Sequence, residues 1–212
     1  MRVSEFMTTN VVTVSSQTAL FEARKFLVAH NIRRLPVVDR GKLVGIVSDR
    51  RIASASPSSH TTLSVWEMNE WLNKVTVGEL MKKNLTTVTP NTTAEVAVAL
   101  AQKSKVGSLP VIDDGRLVGI VTTNDFFYRI LNPLLGIGKP GTRLHIFDSG
   151  ATGKIEGVMK ILSRHNLEIV AIHLDESDER PGRDLIIQVN GKEAGKLIDD
   201  LTGCGYRTEI RG

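Results

Sequence analysis

Residues 35–48 read LPVVDRGKLVGIVS, and residues 109–122 read LPVIDDGRLVGIVT. In each, two apolar runs flank a short glycine-containing link, Arg40-Gly41-Lys42 in the first. That pattern predicts a β-hairpin with strands over 35–39 and 43–48, and again over 109–113 and 117–122. Working outward, residues 5–14 read EFMTTNVVTV and residues 79–88 read ELMKKNLTTV. The same offset of 74 residues relates both matches, with no gap. The unit is therefore duplicated. Two copies of one unit predict a pseudo-symmetric pair with two equivalent sites at its junction, and that junction is the natural place for a ligand.

The first copy spans residues 1–54. Its VVTV at 11–14 reads as a short strand, with turn chemistry from Asn10 and Ser15-Ser16 on either side. Residues 18–30 carry apolar side chains at Ala19, Leu20, Ala23, Phe26 and Leu27, which is helical spacing, and Thr18 is the expected N-cap. The second copy, 76–131, repeats the order: TVT at 87–89, a helix over 92–103, the hairpin, and a closing helix over 123–131. Between the copies, 55–75 opens as a polar linker and continues as SVWEMNEWLNKV at 64–75. There Val65, Met68, Trp71 and Leu72 keep helical intervals, and Ser64 with Glu67 forms a capping-box pattern. Both tryptophans, Trp66 and Trp71, lie in this segment, which reads either as a helix packed on its own domain or as a partner-binding face. Residues 132–141 (NPLLGIGKPG) hold two prolines and three glycines, and predict a linker at a domain boundary. Beyond it, 142–212 reads strand 143–148, helix 153–166, strands 167–175 and 184–190, helix 191–205 and a last strand, with a polar link over 175–183. This βαββαβ order is that of the ferredoxin-like split βαβ pattern.

Composition sets limits. The chain has 212 residues, 41% apolar and 24% charged, as soluble globular proteins do. Aromatics are 5%, so the cores must rest on aliphatic side chains. The pI of about 9.3 stands on a net charge of only +4. This reads as a mildly basic surface or as local basic patches for phosphate. One cysteine, Cys204, excludes an internal disulfide framework and is expected to be a small packing residue. No signal-peptide pattern and no long apolar run is present, so a cytoplasmic location and no membrane partner are expected. The five histidines show no metal-ligand spacing, and there is no nucleophile elbow or phosphate-binding P-loop. No catalysis, metal or catalytic cofactor is therefore expected. Few aromatics and no helix-turn-helix pattern argue against nucleic acid.

Each copy closes on a Gly-apolar-x-Ser/Thr stretch after its LPV strand and glycine hairpin. This resembles the CBS domain, a module that occurs as tandem pairs, and the resemblance covers about residues 1–130. Residues 142–212 resemble an ACT domain through their element order and a glycine at the first strand-to-helix turn. That turn reads Asp148-Ser149-Gly150-Ala151-Thr152-Gly153. It lacks the proline of the family's Asp-x-x-Pro-Gly and is one residue longer. The combination resembles the acetoin-utilisation (AcuB-like) family. The implied fold class is α+β: a tandem CBS pair of two β-α-β-β-α repeats, followed by a ferredoxin-like βαββαβ ACT domain.

What the resemblance implies for the site differs between the copies. CBS pairs commonly bind adenosine-containing ligands in clefts between the repeats, through a Gly-apolar-x-Thr/Ser-x-x-Asp motif. The second copy has it complete, Gly119 to Asp125. Asp125 would accept hydrogen bonds from the ribose hydroxyls. Thr122 would reach ribose or phosphate near the start of a helix, and Leu109, Pro110 and Val111 would wall the base. The other reading of Thr122 and Asp125 is a helix N-cap and a first-turn acid with no ligand. In the first copy Ser48 keeps the hydroxyl, but Arg51 replaces the aspartate and Asp49 stands two positions too early. A cation cannot accept from ribose. This cleft is therefore expected to hold no ribose, with Arg51 reaching a phosphate of a nucleotide held by the second copy. Arg33, Arg34, Lys103 and Lys105 are further phosphate candidates, or solvated surface charges. The implied function is a non-catalytic regulatory protein that senses AMP, ADP or ATP, with the ACT domain serving dimerisation or a second small effector at 148–154. A homodimer, a regulated metabolic enzyme as partner, and a place in acetoin or central carbon metabolism are implied with it. The competing reading is a protein-interaction subunit without ligand binding.

Overall fold

The computed structural model describes residues 1–55, 73–176, 182–191 and 194–211. Its contacts divide the chain into two units, Met1–Phe126 and Phe127–Gly212. Most of the expected helix over 64–75, including Trp66 and Trp71, lies outside the described residues, as do residues 177–181 of the polar link.

In the first unit the first copy contributes α1 (Leu20–Ala29), β1 (Arg34–Asp39), β2 (Lys42–Ser48) and α2 (Asp49–Ala55). The second contributes α3 (Val77–Leu80), α4 (Ala94–Lys103), β3 (Ser108–Asp113), β4 (Arg116–Thr122) and α5 (Thr123–Asp125). Both hairpins form, with the same register and a bulge at the same place, Val37/Val38 and Val111/Ile112. Their turns put two residues at positive φ, Arg40-Gly41 (51° and 78°) and Asp114-Gly115 (45° and 75°). Two left-handed central residues match the right-handed twist of the flanking strands, and glycine adopts that conformation without a Cβ penalty.

Three local expectations are corrected. VVTV is not a strand: Val14 makes only a single parallel bridge to Val37, as Val88 does to Val111. Each hairpin is a sheet of two strands only, so one backbone crossing is all the segment finds. Thr18 does not cap α1. Its Oγ1 accepts the Ser15 N–H at 3.2 Å, and Ala19 occupies the N-cap. The helical path after β4 does not stop at 131: α5 runs into a π-helical stretch, Phe126–Leu131, and then α6 (Asn132–Leu135). Pro133 sits in the first turn of α6, where its missing N–H costs nothing, and Gly136 at φ 66° ends it.

The two copies are joined by reciprocal backbone exchange. Thr8 pairs with Ile120, and its equivalent Lys82 pairs with Ile46, through N–H···O bonds of 2.8–3.0 Å. Arg2–Thr93 and Thr76–Ala19 form a second symmetry-related set of bridges. Gly45 and Gly119 permit the approach. A Cβ on Gly45 would run into the Met81 side chain, and one on Gly119 into Met7. Val77 of the second copy completes the core of the first, packed with Leu20, Leu27, Leu35, Val37 and Ile52.

The second unit holds β5 (Thr142–Ile146), α7 (Thr152–Leu162), β6 (Glu168–Glu176), β7 (Arg183–Asn190), α8 (Ala194–Gly203) and β8 (Thr208–Ile210). The sheet is antiparallel with order β6-β7-β5-β8, as the split βαβ pattern requires. Leu144, Ile146, Leu185, Ile187 and Val189 face the helices and pack with Val158, Leu162, Leu197 and Leu201. Residues 132–141 belong to this unit rather than forming a free linker. Arg143 Nη2 donates to the Leu135 carbonyl at 2.7 Å, and Gln188 Nε2 to the Lys139 carbonyl at 2.9 Å. No described helix is long and apolar enough to cross a membrane.

Candidate functional site

A cavity of about 680 Å³ opens between the two copies in the first unit. The Ile46–Lys82 crossing brings its walls together. Arg34 enters from the start of β1, Ile46 and Ser48 from β2, and Arg50 and Arg51 from α2. The second copy supplies Leu80, Lys82, Asn84, Lys105 and Val106, and Ser108 and Pro110 on β3. Ser48 begins α2, where its Oγ accepts the Arg51 N–H at 3.3 Å. The Arg51 guanidinium donates to the carbonyl of Leu80, which ties α2 to the end of α3. Gly107 leaves room for Arg34, since a Cβ there would collide with Arg34 Nη2. Burial first, and then the neighbouring Arg33, lowers the Arg34 pKa from its ordinary value.

The electrostatics of the cavity are one-sided. Arg34, Arg50, Arg51, Lys82 and Lys105 line it, and no Asp or Glu does among the described residues. Among the described residues, none of the five makes an ion pair with a carboxylate. Under the 74-residue offset their counterparts are Ser108, Asn124, Asp125, Thr8 and Asn31. The backbone is duplicated, but the charge is not: all five cations collect on one side of the pair. Such a site attracts phosphate or another anion.

Of the residues expected at the site, Ser48, Arg51 and Pro110 line this cavity, and so do the phosphate candidates Arg34 and Lys105. Thr122, Asp125, Leu109 and Val111 do not, and neither do Arg33 and Lys103. Strand alternation explains Leu109 and Val111: both point into the core and are fully buried, while Pro110 between them faces the other way. Asp125 Oδ2 accepts the Thr122 N–H at 2.8 Å and its hydroxyl at 2.7 Å, so the pair forms a capping box at the start of α5. The cavity thus lies on the side where a replaced aspartate had suggested an altered cleft. Arg50 and Lys82 were missed by the sequence reading. The signal for them was available, because each is a cation in one copy and uncharged in the other.

The 148–154 turn of the second unit is occupied by its own domain. Asp148, at φ 49°, donates its N–H to Asp184 Oδ1 at 2.6 Å, and Gly150 donates its N–H to the Arg183 carbonyl at 2.7 Å. Lys154 Nζ reaches both the carbonyl and the carboxylate of Asp148 at 2.7 Å. Cys204, expected to pack, is exposed just past α8, where the chain turns at Gly205. No cluster of three or more His, Cys, Asp or Glu that could hold a metal occurs among the described residues.

Comparison with known proteins agrees with this geometry. The family model described as CBS domain matches residues 3–58 and 77–132. An inosine-5′-monophosphate dehydrogenase of Korarchaeum cryptofilum is 34% identical over 62% of this chain, but the match covers only 25% of that enzyme. A CBS domain-containing protein of Dictyostelium discoideum is 35% identical over 62% of this chain and 94% of its own length. Three solved structures each match 62% of the chain. A CBS domain pair, of protein MJ0100, in complex with 5′-methylthioadenosine and S-adenosyl-L-methionine is 32% identical over 96% of its length, with a TM-score of 0.51. CBSX2 in complex with AMP is 30% identical over 96% of its length, with a TM-score of 0.51. A putative acetoin utilization protein of Vibrio cholerae is 30% identical over 92% of its length, with a TM-score of 0.52.

Proposed function

The chain belongs to the CBS-domain family, and we propose that it is a non-catalytic regulatory protein that binds an adenine nucleotide (AMP, ADP or ATP) in the cleft between its two copies. The observation that carries this is the inter-copy cavity, whose described lining holds five cations and no acid. Its apolar strip of Ile46, Leu80, Val106 and Pro110 offers a surface for the base, and the cations meet the phosphates. The matched structures with AMP and with 5′-methylthioadenosine and S-adenosyl-L-methionine support adenosine chemistry for such a cleft. Arg51 lies across the junction of the copies, so its transfer from the Leu80 carbonyl to a ligand phosphate would shift the balance between two arrangements of the pair.

Calorimetric titration of AMP, ADP and ATP into wild type, Arg51→Ala and Asp125→Ala tests the assignment. Loss of one charge-assisted contact in Arg51→Ala weakens nucleotide binding by about tenfold or more. Unchanged affinity in Arg51→Ala with loss in Asp125→Ala would move the site to the Thr122–Asp125 cleft. There the capping bond must open for Asp125 to meet ribose, with Leu109 and Val111 staying in the core. Binding of no nucleotide at all would leave the interaction-subunit reading.

We further propose that the βαββαβ unit acts as an ACT domain, for dimerisation or for a second small effector. The occupied N–H groups of the 148–150 turn favour dimerisation. A regulated metabolic enzyme as partner, and a place in acetoin or central carbon metabolism inside the cytoplasm, accompany this reading through the likeness to the Vibrio cholerae protein.

A further inference from the structure

We infer that the cavity recognises its ligand through a chain of phosphates, with the sugar and the base contributing little discrimination. This rests on the reading of the pair as a nucleotide-binding module, and it specifies what in the nucleotide is read. The first observation is the number and placement of the cations. Arg34, Arg50, Arg51, Lys82 and Lys105 converge on one cleft from four separate stretches of chain. Not one has a cationic counterpart in the other copy. One phosphate carries less charge and spans less of the cleft than five cationic side chains from four stretches of chain, whereas a triphosphate can spread across them, and Arg forks suit bidentate contact with it.

The second observation is that no ribose reader occurs among the described lining residues. None of them is a carboxylate, and the position equivalent to Asp125 is occupied by Arg51, which has donors only. A diol in this cleft would meet hydroxyls, an amide and backbone, none of which matches a carboxylate that accepts from both hydroxyls at once. The third observation is the surroundings of Arg34. Arg34 is half-buried beside Arg33 and has no carboxylate partner among the described residues. A partly desolvated cation without a counter-ion is unfavourable until an anion arrives, so the site gains most from the ligand with the most charge. The apolar strip of Ile46, Leu80, Val106 and Pro110 carries no side-chain hydrogen-bonding group to separate one purine from another.

The test uses the full chain at fixed ionic strength, titrated with adenosine, 5′-methylthioadenosine, AMP, ADP, ATP, GTP and inorganic tripolyphosphate. Affinity should rise by about tenfold with each phosphate added from AMP to ATP. GTP should bind as ATP does, tripolyphosphate should displace ATP, and ATP affinity should fall steeply with salt. The Arg50→Gln, Lys82→Gln double variant should flatten the series from AMP to ATP while its thermal unfolding stays that of wild type. AMP, adenosine or methylthioadenosine binding as tightly as ATP, with tripolyphosphate unable to compete, would overturn the inference and leave the nucleotide-binding reading intact. A series unaltered by the double variant would also overturn it, by placing the phosphates elsewhere. No binding by any of the seven would remove the nucleotide-binding reading and the inference together.

Discussion

Positions 51 and 125 are equivalent under the duplication, yet one holds a guanidinium and the other a carboxylate. The consequences are opposite. Asp125 is drawn back onto the first turn of its own helix, taking the Thr122 N–H and hydroxyl. Arg51 cannot accept from the same N-cap, so its backbone alone meets Ser48 and its side chain crosses to the Leu80 carbonyl. A single difference of charge thus turns a helix cap into a tie between copies. In the second unit, His173 shows what burial does to a base. Its Nδ1 is buried without a hydrogen-bond partner. Desolvation, and then the Arg143 charge, lowers its pKa below 6.5, with Asp175 partly opposing. The fold therefore favours the neutral ring. Above pH 6.5 neither state is protonated and His173 costs nothing; below it the unfolded chain takes up a proton that the folded one declines. Stability is lost progressively as pH falls from 6.5 toward the lowered folded value. Denaturant unfolding at about pH 7.5 and about pH 5.5 should show a smaller acid loss in His173→Gln than in wild type. Identical losses would exclude His173 as a source of the pH dependence.

At the scale of elements, the hairpins were the most legible part of the chain. Alternating apolar side chains and a glycine at the turn specify both strand pairing and register. VVTV at 11–14 and TVT at 87–89 misled because β-branched residues favour extended backbone without ensuring a neighbouring strand, and here the neighbour is met at one residue. Residues 132–141 misled for the opposite reason. Their prolines and glycines suit a linker, but Pro133 tolerates the first turn of a helix, and Gln188 and Arg143 hold the stretch on the sheet. The glycines of the GIV strands were legible as conspicuous, but their purpose was not. Gly119 lets Met7 and the Thr8 backbone lie against β4. Gly119→Val should therefore destabilise the first unit by about 1–3 kcal/mol through forced repacking of that crossing. Thermal unfolding reads the effect, and an unchanged midpoint would show the crossing to be dispensable.

For the molecule as a whole, duplication supplies a symmetric scaffold, and substitution has made its two clefts different in charge. The scaffold is held by backbone bridges that depend little on side-chain identity, which leaves the residues around the clefts free to diverge. In the second unit, β6 and β8 are the edge strands of the sheet. Ile172 (42% exposed) and Leu174 (41%) on β6 continue the helix-covered face past the helices, and Ile210 (57%) ends β8. Open edges bearing exposed aliphatic side chains tend to be covered by another strand or chain. Pairing of two copies through this unit is the expected assembly. Sedimentation equilibrium of the full chain at about ten micromolar should give a dimer, and Ile172→Lys should shift it toward monomer. A monomeric wild type at that concentration would end the proposal.

The sequence by itself determined the duplication, the two hairpins, the βαββαβ order that follows, and the absence of any recognised catalytic motif. These are local or periodic properties, and a chain carries them without reference to its own distant parts. It also named Ser48 and Arg51 as site residues, and Arg34 and Lys105 as phosphate candidates or solvated surface charges. Only the tertiary structure decided that these four share one cavity with Arg50 and Lys82, that Leu109 and Val111 turn inward, and that Asp125 binds its own helix. The reason is geometric: the cavity is made where backbone from one copy crosses the second strand of the other. Which residues meet there depends on the direction of side chains contributed by both copies, from Arg34 to Pro110, and no spacing along the chain encodes that.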